Sequence, residues 1–185
     1  GFGLEGVLRG RRADLLGILN GIDPGVWDPA RDPLIAANYS ATDLSGKKEN
    51  KIRLLESMEL PVEPDVPLVG IISRLVDQKG FDLVEKIAGD LLGGRLKIVV
   101  LGSGQPRYEE LMRSLRKKYP QKFAASLEFN DKLAHLIEAG SDFFLMPSKY
   151  EPCGLNQMYS LRYGTIPIVR ATGGLADTVQ DYEFE

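Results

Sequence analysis

Cysteine is almost absent. Cys153 is the only one in 185 residues, so no intrachain disulfide can form, and the usage fits a reducing compartment. Histidine is as scarce, with His135 alone. One His and one Cys supply neither a thiol–imidazole dyad nor a zinc set, and no metal site is expected. No apolar run approaches the roughly 20 residues needed to span a bilayer, and the opening residues are not expected to be a secretory leader. Positive charge is not in excess: 23 Lys and Arg face 26 Asp and Glu, for a net charge of −3. Neither nucleic acid nor a membrane surface is therefore expected as a partner, and a phosphate-bearing ligand would need a local cationic site. A P-loop is missing. Gly102-Ser-Gly104 starts like a dinucleotide fingerprint, but its third glycine position holds Arg107, and it follows the second strand of its unit. An initiator methionine is also missing, so Gly1 to Leu8 read as the interior of a longer protein.

What is present is ordinary globular composition, 43% hydrophobic and 26% charged, in a length that suits one domain with a full core. Residues 1–65 are rich in Gly, Pro, Asp and Asn and hold one long helical pattern, and Pro61 to Pro67 form a turn-rich connector. Residues 66–180 alternate apolar runs with amphipathic segments. The pattern predicts strands at 66–72, 96–101, 123–127, 142–146 and 166–169, and helices at 81–92, 107–119, 131–139 and 155–163. Strict alternation with short connections predicts an α/β fold: a Rossmann-like parallel sheet with helices on both faces. Ligands of such sheets bind beyond the carboxyl ends of the strands.

Three of the loops at that end carry candidate chemistry. Ser73-Arg-Leu-Val-Asp-Gln-Lys-Gly80 places Arg74 and Lys79 just before a helix N-terminus. A guanidinium fork and a mobile ammonium suit a diphosphate; two solvated surface cations would read the same way. Pro147-Ser-Lys-Tyr-Glu-Pro-Cys-Gly154 sets Glu151 before a proline and the free amides of a helix start. That pairing suits a polyol, with the carboxylate accepting from hydroxyls and the amides donating; a helix-capping acid is the alternative. Arg170-Ala-Thr-Gly-Gly-Leu175 offers a glycine pair that permits close backbone approach to a phosphate, or makes a plain turn. His135 is expected on a helix surface or at a cap, and Trp27 as a packing anchor.

At this point the residues resemble one family. Leu4-Glu-Gly-Val-Leu-Arg9, Gly17-Ile-Leu-Asn-Gly-Ile-Asp23 with Trp27, Ser73-Arg-Leu with Gln78-Lys-Gly80, Glu151-Pro-Cys-Gly-Leu-Asn-Gln157, Arg162-Tyr-Gly-Thr165 and Thr172-Gly-Gly-Leu-Ala-Asp-Thr-Val179 all look like bacterial glycogen synthase and plant starch synthase. The matches run in order over essentially the whole chain.

The resemblance implies the GT-B arrangement, two Rossmann-like domains facing across a cleft. It makes residues 1–22 the end of an interdomain linker and 23–185 the carboxyl-terminal, donor-binding domain. It implies glucose transfer from ADP-glucose to the non-reducing end of an α-1,4-glucan, with retention, without a metal or other cofactor, in the cytoplasm or, in a plant, the plastid. Arg74 and Lys79 would bind the donor diphosphate. Glu151 would face the glucose and its developing positive charge, with Asn20 near the reacting centre. The amides of Cys153 and Gly154 would hold glucose hydroxyls, Leu155 and Asn156 would approach the distal phosphate, and Phe129 would flank the adenine. Thr172 and Gly173 complete the expected binding set. Related retaining enzymes carry a second glutamate eight positions after the first; here that position is Tyr159, as in the glycogen and starch synthase branch. The glucan would be held mainly by the amino-terminal domain, which this chain does not contain. A related enzyme using UDP-glucose and a non-catalytic nucleotide-binding module are the alternatives.

Overall fold

A computed structural model describes residues 3–182. The outermost residues of the two expected regions, 1–2 and 183–185, lie outside the described residues. Five strands, β1 (Leu68–Ile72), β2 (Lys97–Leu101), β3 (Phe123–Ser126), β4 (Phe143–Met146) and β5 (Ile166–Val169), form one sheet. Its order is β3-β2-β1-β4-β5, and every pairing is parallel. These bounds fall within two residues of the apolar runs. The reason is physical: a strand covered on both faces must be apolar along its whole length, and all of Lys97-Ile-Val-Val-Leu101 is buried. Lys97 keeps its place by reaching the Pro61 carbonyl and Glu63.

Among the described residues, seven α-helices accompany the sheet: α1 (Glu5–Gly10), α2 (Ser45–Ser57), α3 (Phe81–Gly93), α4 (Pro106–Lys118), α5 (Asp131–Gly140), α6 (Asn156–Arg162) and α7 (Gly174–Thr178). Strand order moves one way from β1 to β3, then jumps back across β1 to β4. Right-handed crossovers put the connections before and after such a reversal on opposite faces. The core divides in just that way. Ile71, Ile98, Val100 and Phe123 pack under α3 and α4 with Phe81, Tyr108 and Met112. Leu68, Val99, Leu101 and Phe144 pack under α2 and α5 with Leu54, Leu55 and Ile137.

Residues 3–26 behave differently from the rest. They carry α1 and a 3-10 turn at Arg12–Asp14, neither of which buries a residue. Burial begins at Asp28, and the segment 27–39 then lies against α5 and α6. Its anchor is Trp27, whose ring stacks between His135 and Tyr159 with centroids 3.8 Å away on each side. This corrects the expectation for His135. It is not on the helix surface or at a cap but buried, with Nδ1 2.7 Å from Asp32 Oδ2. Asn130, not His135, caps α5, accepting from the Leu133 amide. Asp32 also accepts from the Tyr163 hydroxyl, and Tyr39 donates to the Tyr163 carbonyl.

Candidate functional site

A sheet whose order reverses leaves a crevice where neighbouring connections leave in opposite directions. Here that point lies between β1 and β4, and a cleft of about 510 Å³ opens beyond their carboxyl ends. Arg74, Lys79, Phe129, Glu151, Gly154, Leu155 and Asn156 all line it. They come from the loops after β1, β3 and β4, which are far apart in sequence.

Direct contacts hold the β1 and β4 loops in register. Gln78 donates from its side chain to the Tyr150 carbonyl, and the Lys149 amide donates to the Gln78 carbonyl, both at 2.9 Å. Gly80 turns the chain into α3 with φ +76°, and a Cβ there would sit 2.1 Å from the Pro147 carbonyl oxygen. Only glycine satisfies both conditions, so this turn is bound to the β4 loop by sterics as well as by hydrogen bonds. Asn156, at the start of α6, donates to the Ile72 carbonyl at the end of β1.

The charges divide unequally. Arg74 is exposed, and its guanidinium makes no hydrogen bond or ion pair to any described residue. Lys79 is committed: its Nζ lies 2.5 Å from Glu151 Oε2. Glu151 is buried, and Oε2 also accepts from the Ser148 hydroxyl at 3.1 Å. Glu151 does not cap α6, whose N-cap is Leu155 and which has no side-chain cap. Phe129 stands at the cleft rim with 92% of its surface exposed. An aromatic ring so placed offers an open face to a planar ligand. The cleft thus presents an unpaired guanidinium, an ion pair, free helix-start amides and a flat apolar platform.

Four expected residues fall outside the lining. Asn20 is exposed, on a segment with no regular structure from Leu15 to Asp23. Cys153 is half-buried with a free thiol. Thr172 and Gly173 sit behind the β4 loop. A Cβ on Gly173 would lie 2.1 Å from the Glu151 carbonyl oxygen, and the Gly174 amide donates to that same oxygen at 3.0 Å. The glycine pair therefore brings the chain against its own backbone and supports Glu151 from behind. Ser148 and Gln78 have no role that the sequence alone assigns, although Gln78 lies in the Gln78-Lys-Gly80 motif. Their signal was only adjacency, since each lies on a loop already marked by Glu151 or by Arg74 and Lys79.

Among the described residues, no group of three or more His, Cys, Asp or Glu is placed to hold a metal ion, and no helix is long and apolar enough to cross a membrane. A second groove, of about 540 Å³, runs along the outer edge of β3 between α2 and α5; it touches the cleft only at Glu128 and Asn130.

Comparison with known proteins gives the family of this fold. Residues 55–184 match the family model described as glycosyl transferases group 1. The chain is 56% identical over 183 residues to a protein named glycogen synthase from Koribacter versatilis, covering 99% of this chain and 38% of that protein. It is 55% identical over 180 residues to a glycogen synthase from Pseudothermotoga lettingae, covering 97% and 37%. The chain thus spans little more than a third of the length of these relatives. The solved catalytic domain of starch synthase IV from Arabidopsis thaliana, bound to ADP and acarbose, superposes with a TM-score of 0.92 at 41% identity, covering 99% of this chain and 38% of that one. The Anabaena protein HepE, in complex with UDP-glucose, shares the fold, with a TM-score of 0.65 at 17% identity over 95% of this chain and 44% of that one. With a family model matched over most of its length, the chain belongs to the group 1 glycosyl transferases.

Proposed function

We propose that this chain is the donor-binding part of a glucan synthase, and that the complete protein transfers glucose from ADP-glucose to the non-reducing end of an α-1,4-glucan with retention. One observation carries the reading: Arg74, Lys79, Glu151, Phe129 and the start of α6 surround a single cleft at the point where strand order reverses. The relatives' name, glycogen synthase, and the ADP and acarbose bound to starch synthase IV support the substrate class.

In this reading the diphosphate lies between Arg74 and Lys79 and the free amides of α6. Breaking the glycosidic bond builds negative charge on the departing ADP. Cations fixed where that charge develops stabilise the transition state without reorganising, which is usually the largest catalytic contribution. Phe129 takes the adenine against its exposed face. The glucose lies toward Glu151 and the amide of Gly154, where a carboxylate stabilises positive charge at the anomeric carbon. No cofactor is assigned a role. The glucan and the opposite wall of the active site are assigned to sequence beyond this chain.

Calorimetric titration with ADP, UDP and AMP tests the reading. ADP should bind this chain, and AMP should bind more weakly because it lacks the second phosphate. Primed incorporation of glucose from ADP-glucose should require the complete protein, since proximity and water exclusion need both walls of the site. Preference for UDP over ADP, or no nucleotide binding at all, would refute it.

A further inference from the structure

The Glu151 carboxylate is held by two donors on one oxygen. Lys79 Nζ lies 2.5 Å from Oε2 and the Ser148 hydroxyl 3.1 Å from it, while Oε1 has no hydrogen bond to any described residue. Both holding residues line the cleft with Glu151. They are not equivalent. Lys79 belongs to a 3-10 turn (Asp77–Lys79) of the β1 loop, and its side chain is partly open to solvent. Ser148 is almost fully buried, at 2% exposure, and sits three residues before Glu151 on the same loop. Lys79 is also the residue a diphosphate would recruit, because a phosphate oxygen competes with the carboxylate for the same ammonium.

We propose that Ser148 is a positioning residue: its hydroxyl keeps Glu151 oriented in the cleft when a donor diphosphate draws Lys79 away. The proposal rests on the reading of the cleft as a nucleoside-diphosphate-sugar site. Two consequences follow from the geometry. Donation to Oε2 leaves Oε1 as the oxygen that faces the bound sugar. When Lys79 turns to phosphate, the carboxylate loses its cation but keeps one donor, so the buried charge remains hydrogen-bonded rather than bare. Ser148 then acts only through Glu151. It touches neither phosphate nor sugar, and its effect belongs to turnover rather than to nucleotide affinity.

The test is a double-mutant cycle in the complete protein, with ADP binding measured alongside. Ser148→Ala should lower kcat by about 10- to 100-fold, the usual effect of removing a hydrogen bond to a charged group. Donor KM and ADP Kd should stay within about threefold of wild type. Ser148→Thr, which keeps the hydroxyl, should recover most of the lost turnover. In a Glu151→Gln background the same Ser148→Ala change should cost almost nothing further, because residues that act as one unit are non-additive. An equal kcat loss in both backgrounds would overturn the proposal and leave Ser148 a packing residue. A rise in ADP Kd that tracks the kcat loss would overturn it as well. Both results leave the wild type binding ADP and transferring glucose, so they are distinct from failure of the underlying reading. A complete wild-type protein that neither binds ADP nor transfers glucose removes that reading and the proposal together.

Discussion

Lys79 Nζ and Glu151 Oε2 are 2.5 Å apart, although the residues lie on different loops and 72 positions apart in sequence. The contact changes what each residue is expected to do. Read separately, the lysine is a phosphate ligand and the glutamate a sugar ligand. Joined, they neutralise one another, and a diphosphate must compete with the protein's own carboxylate for the lysine.

Glu151→Gln should therefore tighten ADP binding. The amide removes a negative charge beside the proposed phosphate site and frees Lys79. Both side chains are largely buried, at 19% and 8% exposure, so solvent screens the pair only partly. A gain of roughly 1 kcal/mol, or about fivefold in Kd, is expected from removing one such competitor. In the proposed function the carboxylate acts on charge that exists only in the transition state, so turnover of the complete protein should fall by orders of magnitude in the same variant. Calorimetry and initial rates on one preparation settle it. Unchanged or weaker ADP binding would mean that the ion pair does not compete with the ligand.

Arg74 gives the contrasting case. Its guanidinium has no partner among the described residues, so truncating the side chain leaves no orphaned carboxylate behind. Arg74→Ala should weaken ADP by about 1.5–3 kcal/mol, the usual contribution of a charged hydrogen bond, and AMP by much less. Equal losses for the two nucleotides would place Arg74 away from the second phosphate.

The sheet and its helices were legible because burial on both faces writes itself as continuous apolar runs, such as Ile98-Val-Val-Leu101. The site loops were legible for a related reason: in a parallel sheet the carboxyl ends of the strands are where ligands bind. What the sequence hid were relationships between distant residues. Gly173 looks like a phosphate-binding glycine, yet the space it leaves is filled by the Glu151 carbonyl. His135 looks like a surface residue at the start of a helix. Its burial depends on Trp27 and Asp32, both more than 100 positions earlier. No local pattern reports that a ring will be stacked and its nitrogen bound by a segment from the other end of the chain.

Trp27 should be the most costly single truncation in the segment 27–39. Its ring stacks on His135 and Tyr159, with interplanar angles of 12° and 10°. Trp27→Ala should lower unfolding stability by about 3 kcal/mol, the low end for aromatic truncation because the side chain is half-buried. Trp27→Phe should recover part of that loss. Urea denaturation followed by circular dichroism measures both. A loss below about 1 kcal/mol would mean that the segment is held by its hydrogen bonds rather than by the stack.

Glu138 should make stability fall as pH rises. Its side chain is fully buried on α5, accepts from the Ser160 hydroxyl at 2.7 Å through Oε2, and leaves Oε1 with no hydrogen-bond partner. Burial pushes its pKa from 4.5 up to about 8, against the opposing pull of the Ser160 hydrogen bond and the Lys47 charge. Between those two values the folded protein keeps a proton that the unfolded chain releases. The stabilisation is therefore fully present below about 4.5, declines as pH rises, and is lost as the pH passes about 8. Lys47 lies close by, donating to the Ala139 and Tyr163 carbonyls and to Thr165 Oγ1. Burial lowers its pKa from 10.5 to about 8, so it acts mainly above the Glu138 window and with the opposite slope. Glu138→Gln removes the carboxylate titration while keeping the shape. The Tm of the variant minus that of the wild type should rise steadily from pH 5 to pH 8. A constant difference across that window would show that the buried carboxyl does not hold its proton in the folded protein.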